Sequence, residues 1–167
     1  NQDMSIRETM RLDIDVKMYR DTTLPAWKWT YGRMTKTQRE RWDSVYNPVV
    51  DSFYRSGLRG DQLLRFKYQR YMQDYLATAQ SVDDNVGELL DYLDETGLSA
   101  NTVVVYSSDQ GFYLGEHGWF DKRWIYEESV HMPFIIQWPG VVRPGTRFTP
   151  FIQNIRNNVI TAVHRDV

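Results

Sequence analysis

Residues 61–106 read DQLLRFKYQRYMQDYLATAQSVDDNVGELLDYLDETGLSANTVVVY, and the fold is decided within them. Leu64, Tyr68, Tyr71, Met72, Tyr75, Ala79, Val82, Val86, Leu89, Leu90 and Leu93 recur at spacings of three and four, which predicts one long amphipathic helix. Asp61, just after Gly60, stands where an N-cap belongs, and Gly97, after Thr96, stands where a left-handed C-terminal cap belongs. At 1.5 Å per residue such a helix spans on the order of 50 Å, unless Gly87 or the polar 81–85 segment bends it. Asp83 and Asp84 are neighbours on it and point about 100° apart, so a solvated face is expected there rather than a metal site.

After the Gly97 turn, Thr102 to Tyr106 reads TVVVY, a β-branched run suited to a strand buried on both faces. A second run, Phe134 to Trp138, is closed by Pro139 and Gly140. A long helix, a short loop and a buried strand form the unit of an α/β fold with a parallel sheet. Between the two runs lie 27 residues rich in glycine, aromatics and charge, too long and too varied for a plain connection. Chemistry is expected there.

Upstream, the first sixty residues are poorly periodic and broken at Pro25, Gly32, Pro48 and Gly57, so they predict short helices joined by loops. Thr35 and Gln38 form a capping-box pair opening a helix from Lys36 to about Tyr46, where Pro48 stops it. Leu24 to Trp29 suits neither strand nor helix, and its two tryptophans are expected to staple a loop down. The chain thus divides into an irregular helical and loop region, 1–60, and a helix–strand segment, 61–167.

Composition sets the outer bounds. The chain has 167 residues, 41% of them hydrophobic, which excludes a disordered polymer and allows one domain. Its 22 acidic and 20 basic side chains give a net charge of -2, so no basic field points to nucleic acid. No apolar run is long enough to span a membrane, and the first residues (Asn1, Gln2, Asp3) lack the basic and apolar regions of a signal peptide. The chain contains no cysteine, so disulfides, thiolate metal sites and a cysteine-derived nucleophile are excluded within it. Six Trp and eleven Tyr suit a sugar-like partner or ordinary core packing.

The first strand runs out into Ser107, Ser108, Asp109, Gln110 and Gly111, and in open α/β sheets ligands bind beyond the carboxyl ends of strands. Asp109 offers a carboxylate and Gln110 an amide oxygen, donors that suit Mg²⁺ or Ca²⁺. Spacing alone leaves open whether Asp109 is a ligand or caps the following turn. His117 lies between Gly115 and Gly118 on a loop, as a proton-transfer group or a hydrogen-bonded surface histidine. Lys122 offers positive charge to an anionic substrate oxygen. Tyr126, Glu127, Glu128 and Ser129 read as scaffold, with Glu128 paired to Arg123 or to a backbone amide.

The run YSSDQGFYLGEHGWFDKRWIYEESVHMPFIIQWPG, residues 106–140, resembles the later part of the sulfatase catalytic domain in the alkaline-phosphatase-like superfamily. An Asp at a strand end, an amide beside it, a G-E-H-G turn, a Lys thirteen residues after the Asp, an acidic pair and a closing W-P-G occur in that family's order. The likeness extends upstream through Ser81 to Gly87 and more weakly to Gly32, Arg33, Met34 and Thr35. It implies a partial alkaline-phosphatase-like α/β sheet with one long helix and flanking helices. It makes Asp109 a ligand of a divalent metal, Ca²⁺ or else Mg²⁺, and Gln110 the neighbouring ligand, where many members carry Asn. It makes Lys122 the sulfate-contacting lysine and His117 a supporting residue. His131 stands where many members carry Arg.

The resemblance also implies residues that are missing. Members use a formylglycine made from the first residue of a C/S-x-P-x-R motif, and this chain has no such motif. After Gln153 and Asn154, members continue with an acidic-aromatic stretch, whereas this chain reads Ile155, Arg156, Asn157, Asn158. The expectation is therefore a fragment of a metal-dependent sulfatase, inactive alone, with the formylglycine outside the chain and the remaining part of the same enzyme as a partner. A sulfated small molecule or glycan is the implied substrate. A phosphonate or phosphodiester hydrolase of the same superfamily, or a non-catalytic binding module, is the alternative. Localisation stays open, although the family is often exported.

Overall fold

The computed structural model describes residues 4–20 and 24–147; the expectations at the first three residues and at residues 153–158 lie outside these. Its helices are α1 (Pro25–Trp29), α2 (Lys36–Ser56), α3 (Gly60–Glu95) and α4 (Glu127–Val130), and its strands are β1 (Val104–Ser107), β2 (Tyr113–Leu114), β3 (Phe120–Asp121) and β4 (Phe134–Gln137). No helix among the described residues is long and apolar enough to cross a membrane.

The expected long helix forms as α3, 36 residues without interruption, and the Ser81–Asn85 and Gly87 positions do not break it. Gly97 takes the left-handed conformation, φ 71°, that ends it. At the other end the cap differs from expectation. Arg59 occupies the N-cap position with no side-chain bond, and Asp61 instead forms an ion pair with Arg7 at 2.9 Å. Asp83 and Asp84 are exposed, as a solvated face requires, and Asp84 accepts from the Gln80 side chain at 2.8 Å.

The Thr35–Gln38 capping box is present with both of its hydrogen bonds. The helix it opens continues past Pro48 to Ser56 and ends at Gly57, φ 62°, so the expected stop near Tyr46 is corrected. Proline removes one amide donor and crowds the preceding turn, but Val49, Val50 and Phe53 beyond it pack on the core and hold the helix together. Pro25–Trp29 is likewise a short helix rather than a loop.

The core lies where periodicity was weakest. Met4, Ile6, Met10, Val16 and Met18 of the N-terminal segment are buried, and the last four pack in one cluster with Val50 of α2, Tyr71 of α3 and Phe120 of β3. The segment has no regular period because it is wound as turns around the ends of other elements. Lys67, on the buried side of α3, donates to the carbonyl oxygens of Ile6 at 3.5 Å and Arg7 at 3.2 Å, tying the segment down. Burial lowers the Lys67 pKa below that of an ordinary lysine.

The two strand runs do pair, β1 with β4, but antiparallel, with Val104 opposite Gln137 and Ser107 opposite Phe134. Their connection holds the β2–β3 hairpin and, as its α-helix, only the four-residue α4, with no long crossover helix to bring the chain round to a parallel neighbour. Burial on both faces is also corrected: Val105, Tyr106 and Ile135 are exposed. Within the described residues each of these strands has one neighbour, so each keeps an unpaired edge.

Candidate active site

The turn after β1 is held from three sides. The Ser107 hydroxyl donates to the Pro133 carbonyl at 3.0 Å, tying the turn to the entry of β4. The Ser108 hydroxyl donates to the Gln110 carbonyl at 2.8 Å and accepts from the Gln110 amide at 3.4 Å. The Gly111 amide donates to the Ser129 carbonyl at 2.8 Å. A Cβ at Gly111 would lie 2.1 Å from the Glu128 carbonyl oxygen and 2.9 Å from that of His131, so close backbone approach requires glycine here.

Asp109 stands exposed on this turn, and no described hydrogen bond or ion pair engages its side chain. The alternative of an aspartate cap is therefore not what braces the turn: Ser108 does that. Gln110 is half-buried beside it. Two hard oxygen donors fit a Mg²⁺ or Ca²⁺ ion in kind, and they supply part of the six to eight oxygens that Ca²⁺ takes. Among the described residues no three of His, Asp and Glu converge to complete such a shell.

Beyond Gly111 the chain forms a small hairpin, with Tyr113 opposite Asp121 and Leu114 opposite Phe120. Its tip is the G-E-H-G turn. Gly115 (φ 119°), His117 (φ 57°) and Gly118 (φ 73°) are all left-handed, a conformation that costs His117 energy and that the surroundings must hold. The Glu116 carboxylate accepts from the Leu114 amide at 2.6 Å, and the Gly118 amide donates to the Gly115 carbonyl at 2.9 Å. The N-terminal segment completes the clasp: Ile6 donates to the Gly118 carbonyl and Phe120 to the Met4 carbonyl, both at 2.9 Å.

His117 lies 3.2 Å from a Glu128 carboxylate oxygen through Nε2. Its ring is flanked by Trp119, Tyr126 and Tyr113, with centroids 5.1, 5.4 and 6.2 Å away. Glu128 is thus taken by His117, and the expected Glu128–Arg123 pair is corrected: Arg123 pairs with Asp121 at 2.9 Å. The buried Tyr113 hydroxyl donates to the Trp124 carbonyl at 3.1 Å, and the Ser129 hydroxyl bonds to the same carbonyl.

Lys122 is exposed, one residue after the left-handed Asp121 (φ 74°). The hairpin register places it just past the open end, next to Asp121, which pairs with Tyr113. Lys122 therefore follows the open end of the ladder, and His117 stands at the closed tip. The bracing roles of Ser107, Ser108 and Glu128 were not evident from sequence. Ser108, two residues before Gln110, carries the one local signal, the pattern of a serine turn.

The sulfatase family model matches residues 18–164. The chain is 44% identical over 160 residues to an N-acetylglucosamine-6-O-sulfatase of Bacteroides thetaiotaomicron, covering 92% of this chain and 28% of that protein. It is 32% identical over 119 residues to the iduronate 2-sulfatase of Homo sapiens, covering 65% of this chain and 22% of that protein. A solved structure of a protein in complex with its substrate D-glucosamine-2-N,6-O-disulfate superposes with a TM-score of 0.75 and 47% identity, over 82% of this chain and 29% of that one. The chain therefore spans less than a third of the relatives it matches. Its partial alkaline-phosphatase-like α/β architecture, with one long helix and flanking helices, agrees with that likeness. The Asp109 turn, the G-E-H-G hairpin and Lys122 all fall inside the matched region, and the chain belongs to the sulfatase family.

Proposed function

We propose that this chain is the part of a sulfate-ester hydrolase that supplies two metal-ligand oxygens and one substrate-facing cation to a site completed by residues beyond it. The observation that carries this reading is the braced turn after β1, which leaves the Asp109 carboxylate exposed and unengaged while its backbone is fixed by Ser107, Ser108 and Gly111. Asp109 and Gln110 would hold a Ca²⁺ or Mg²⁺ ion, whose bound charge offsets that of the sulfate group. Lys122 presents its ammonium group to a sulfuryl oxygen, where negative charge grows as the ester bond breaks. His117, held by Glu128, supports the hairpin from its tip and makes no contact with the reacting atoms. The nucleophile, a formylglycine by family resemblance, lies outside this chain.

A sulfated glycan, with a sulfated glucosamine unit as its simplest form, is the proposed substrate class. Two matches support it, the relative named for N-acetylglucosamine 6-O-sulfate chemistry and the structure holding a sulfated glucosamine. The relatives named are sulfatases, so a phosphonate or phosphodiester hydrolase and a non-catalytic module are not favoured. The remaining part of the same enzyme is the proposed partner, and the unpaired edges of β1 and β4 support that placement.

Calorimetry with Ca²⁺ tests the turn: in a full-length sulfatase carrying this segment, Asp109→Ala is expected to abolish the binding heat. Lys122→Ala in the same protein is expected to lower turnover of an aryl sulfate by roughly 10², the scale of removing one charged group from a transition state. Calcium heat untouched by the first substitution, or turnover untouched by the second, would remove that residue from the site.

A further inference from the structure

We propose that Glu128 is a positioning residue that locks the metal turn to the hairpin carrying Lys122. The catalytic meaning of this inference rests on the site reading above; the mechanical coupling stands on geometry alone. Glu128 is the residue of α4 that touches both parts. Its backbone carbonyl lies against Gly111, so close that a single added methyl group would fall 2.1 Å away. Its carboxylate grips His117 Nε2 at 3.2 Å, at the tip of the hairpin. One residue thus spans from the turn that bears Asp109 and Gln110 to the loop that sets the course of β3 into Asp121 and Lys122.

The surroundings make this a strut rather than an incidental pair. On the turn side, the Gly111 amide donates to the Ser129 carbonyl, next in sequence to Glu128, so α4 is fastened to the turn by a hydrogen bond as well as by close approach. On the hairpin side, His117 is held in a left-handed conformation, and its ring is flanked by Trp119 and Tyr126, while its Nε2 meets the Glu128 carboxylate at hydrogen-bond distance. Within α4, Ser129 is buried and accepts from the Tyr126 amide at 3.3 Å, so the helix does not shift freely between its two attachments. Hydrogen bonds to both ends from a single short helix transmit displacement because packed backbone has few intermediate arrangements.

The test perturbs one end and reads the other, by hydrogen exchange on a full-length sulfatase carrying this segment. Glu128→Ala is expected to speed exchange roughly threefold both at residues 107–112 and at residues 115–124, the scale of losing one partly exposed hydrogen bond. Glu128→Gln keeps a hydrogen-bond acceptor for His117 and is expected to restore most of that protection. Gly111→Ala, made at the turn, is expected to speed exchange at residues 115–119 about tenfold through the displaced helix. Acceleration confined to the substituted end overturns the strut, as does acceleration spread evenly through α2 and α3, the mark of general destabilisation. Turnover is measured alongside, and Glu128→Ala is expected to lower it about tenfold, within the range that a displacement of 1 Å or less produces. If Lys122→Ala and Asp109→Ala leave turnover intact while exchange still couples the two ends, the site reading fails and the strut survives.

Discussion

Two regions of this molecule are built to different standards. Around the N-terminal segment, α2, the first half of α3 and the β2–β3 hairpin, side chains are closed off from water: Met4 and Val16 are 0% exposed and Met18 1%. In the second half of α3 and in the β1–β4 pair, apolar side chains stand open, with Leu89 at 55% and Ile135 at 61%. The same helix serves both regions, so the difference is not one of sequence quality. The first region finds its partners within the chain, and the second carries the pattern of a strand and a helix face that expect cover. The candidate site lies on the seam between them.

Substitution should separate the two regions most sharply. Met10→Ala, in the closed region, is expected to cost about 2–5 kcal/mol in chemical denaturation, the range for emptying a core position. Ile135→Ala, in the open region, is expected to change the stability of the isolated chain by less than about 0.5 kcal/mol. In a full-length sulfatase carrying this segment the Ile135 value should rise toward the Met10 value, and equal effects in the isolated chain would break the contrast.

A pH titration gives a smaller effect, again confined to the closed region. Burial raises the Tyr71 phenol above the ordinary tyrosine range, and its hydroxyl donates to the Tyr113 carbonyl at 2.6 Å. The folded state then holds its proton where the unfolded chain releases it, so stability should fall as pH rises above about 10. Tyr71→Phe should flatten that decline at the cost of about 1 kcal/mol at neutral pH for the missing hydrogen bond. An unchanged alkaline slope in the variant would assign the decline to other groups.

The smallest effect belongs to the surface. Arg7 and Asp61 pair at 2.9 Å with side chains 52% and 79% exposed, and Arg7→Ala should cost under about 1 kcal/mol and less in high salt.

What could be read from sequence was what is encoded locally. The Thr35–Gln38 box and the Gly97 turn are decided within a few residues, and both are present as expected. Pro48 misled because its local cost is outweighed by the packing of Val50 and Phe53 on distant residues. The direction of the β1–β4 pairing and the docking of residues 4–18 depend on contacts far apart in sequence, which no local period reports. In the site, Asp109, Gln110, His117 and Lys122 were legible as a motif. The role of Glu128 was not, because it comes from a neighbour eleven residues away across a turn.

The clasp of the N-terminal segment on the hairpin has a consequence for the order of folding. The Arg123 amide donates to the Met4 thioether across 119 residues, and β3 takes its edge bond from the same residue. Closing a flexible loop of that length costs roughly 4 kcal/mol of chain entropy, which only the finished core can offset. Local contacts in α2 and α3 can form while a nascent chain is still growing, but the lysine hairpin must wait for both ends of this interval to be present. The clasp that joins the N-terminal segment to the hairpin is thus completed only once residue 123 has been made.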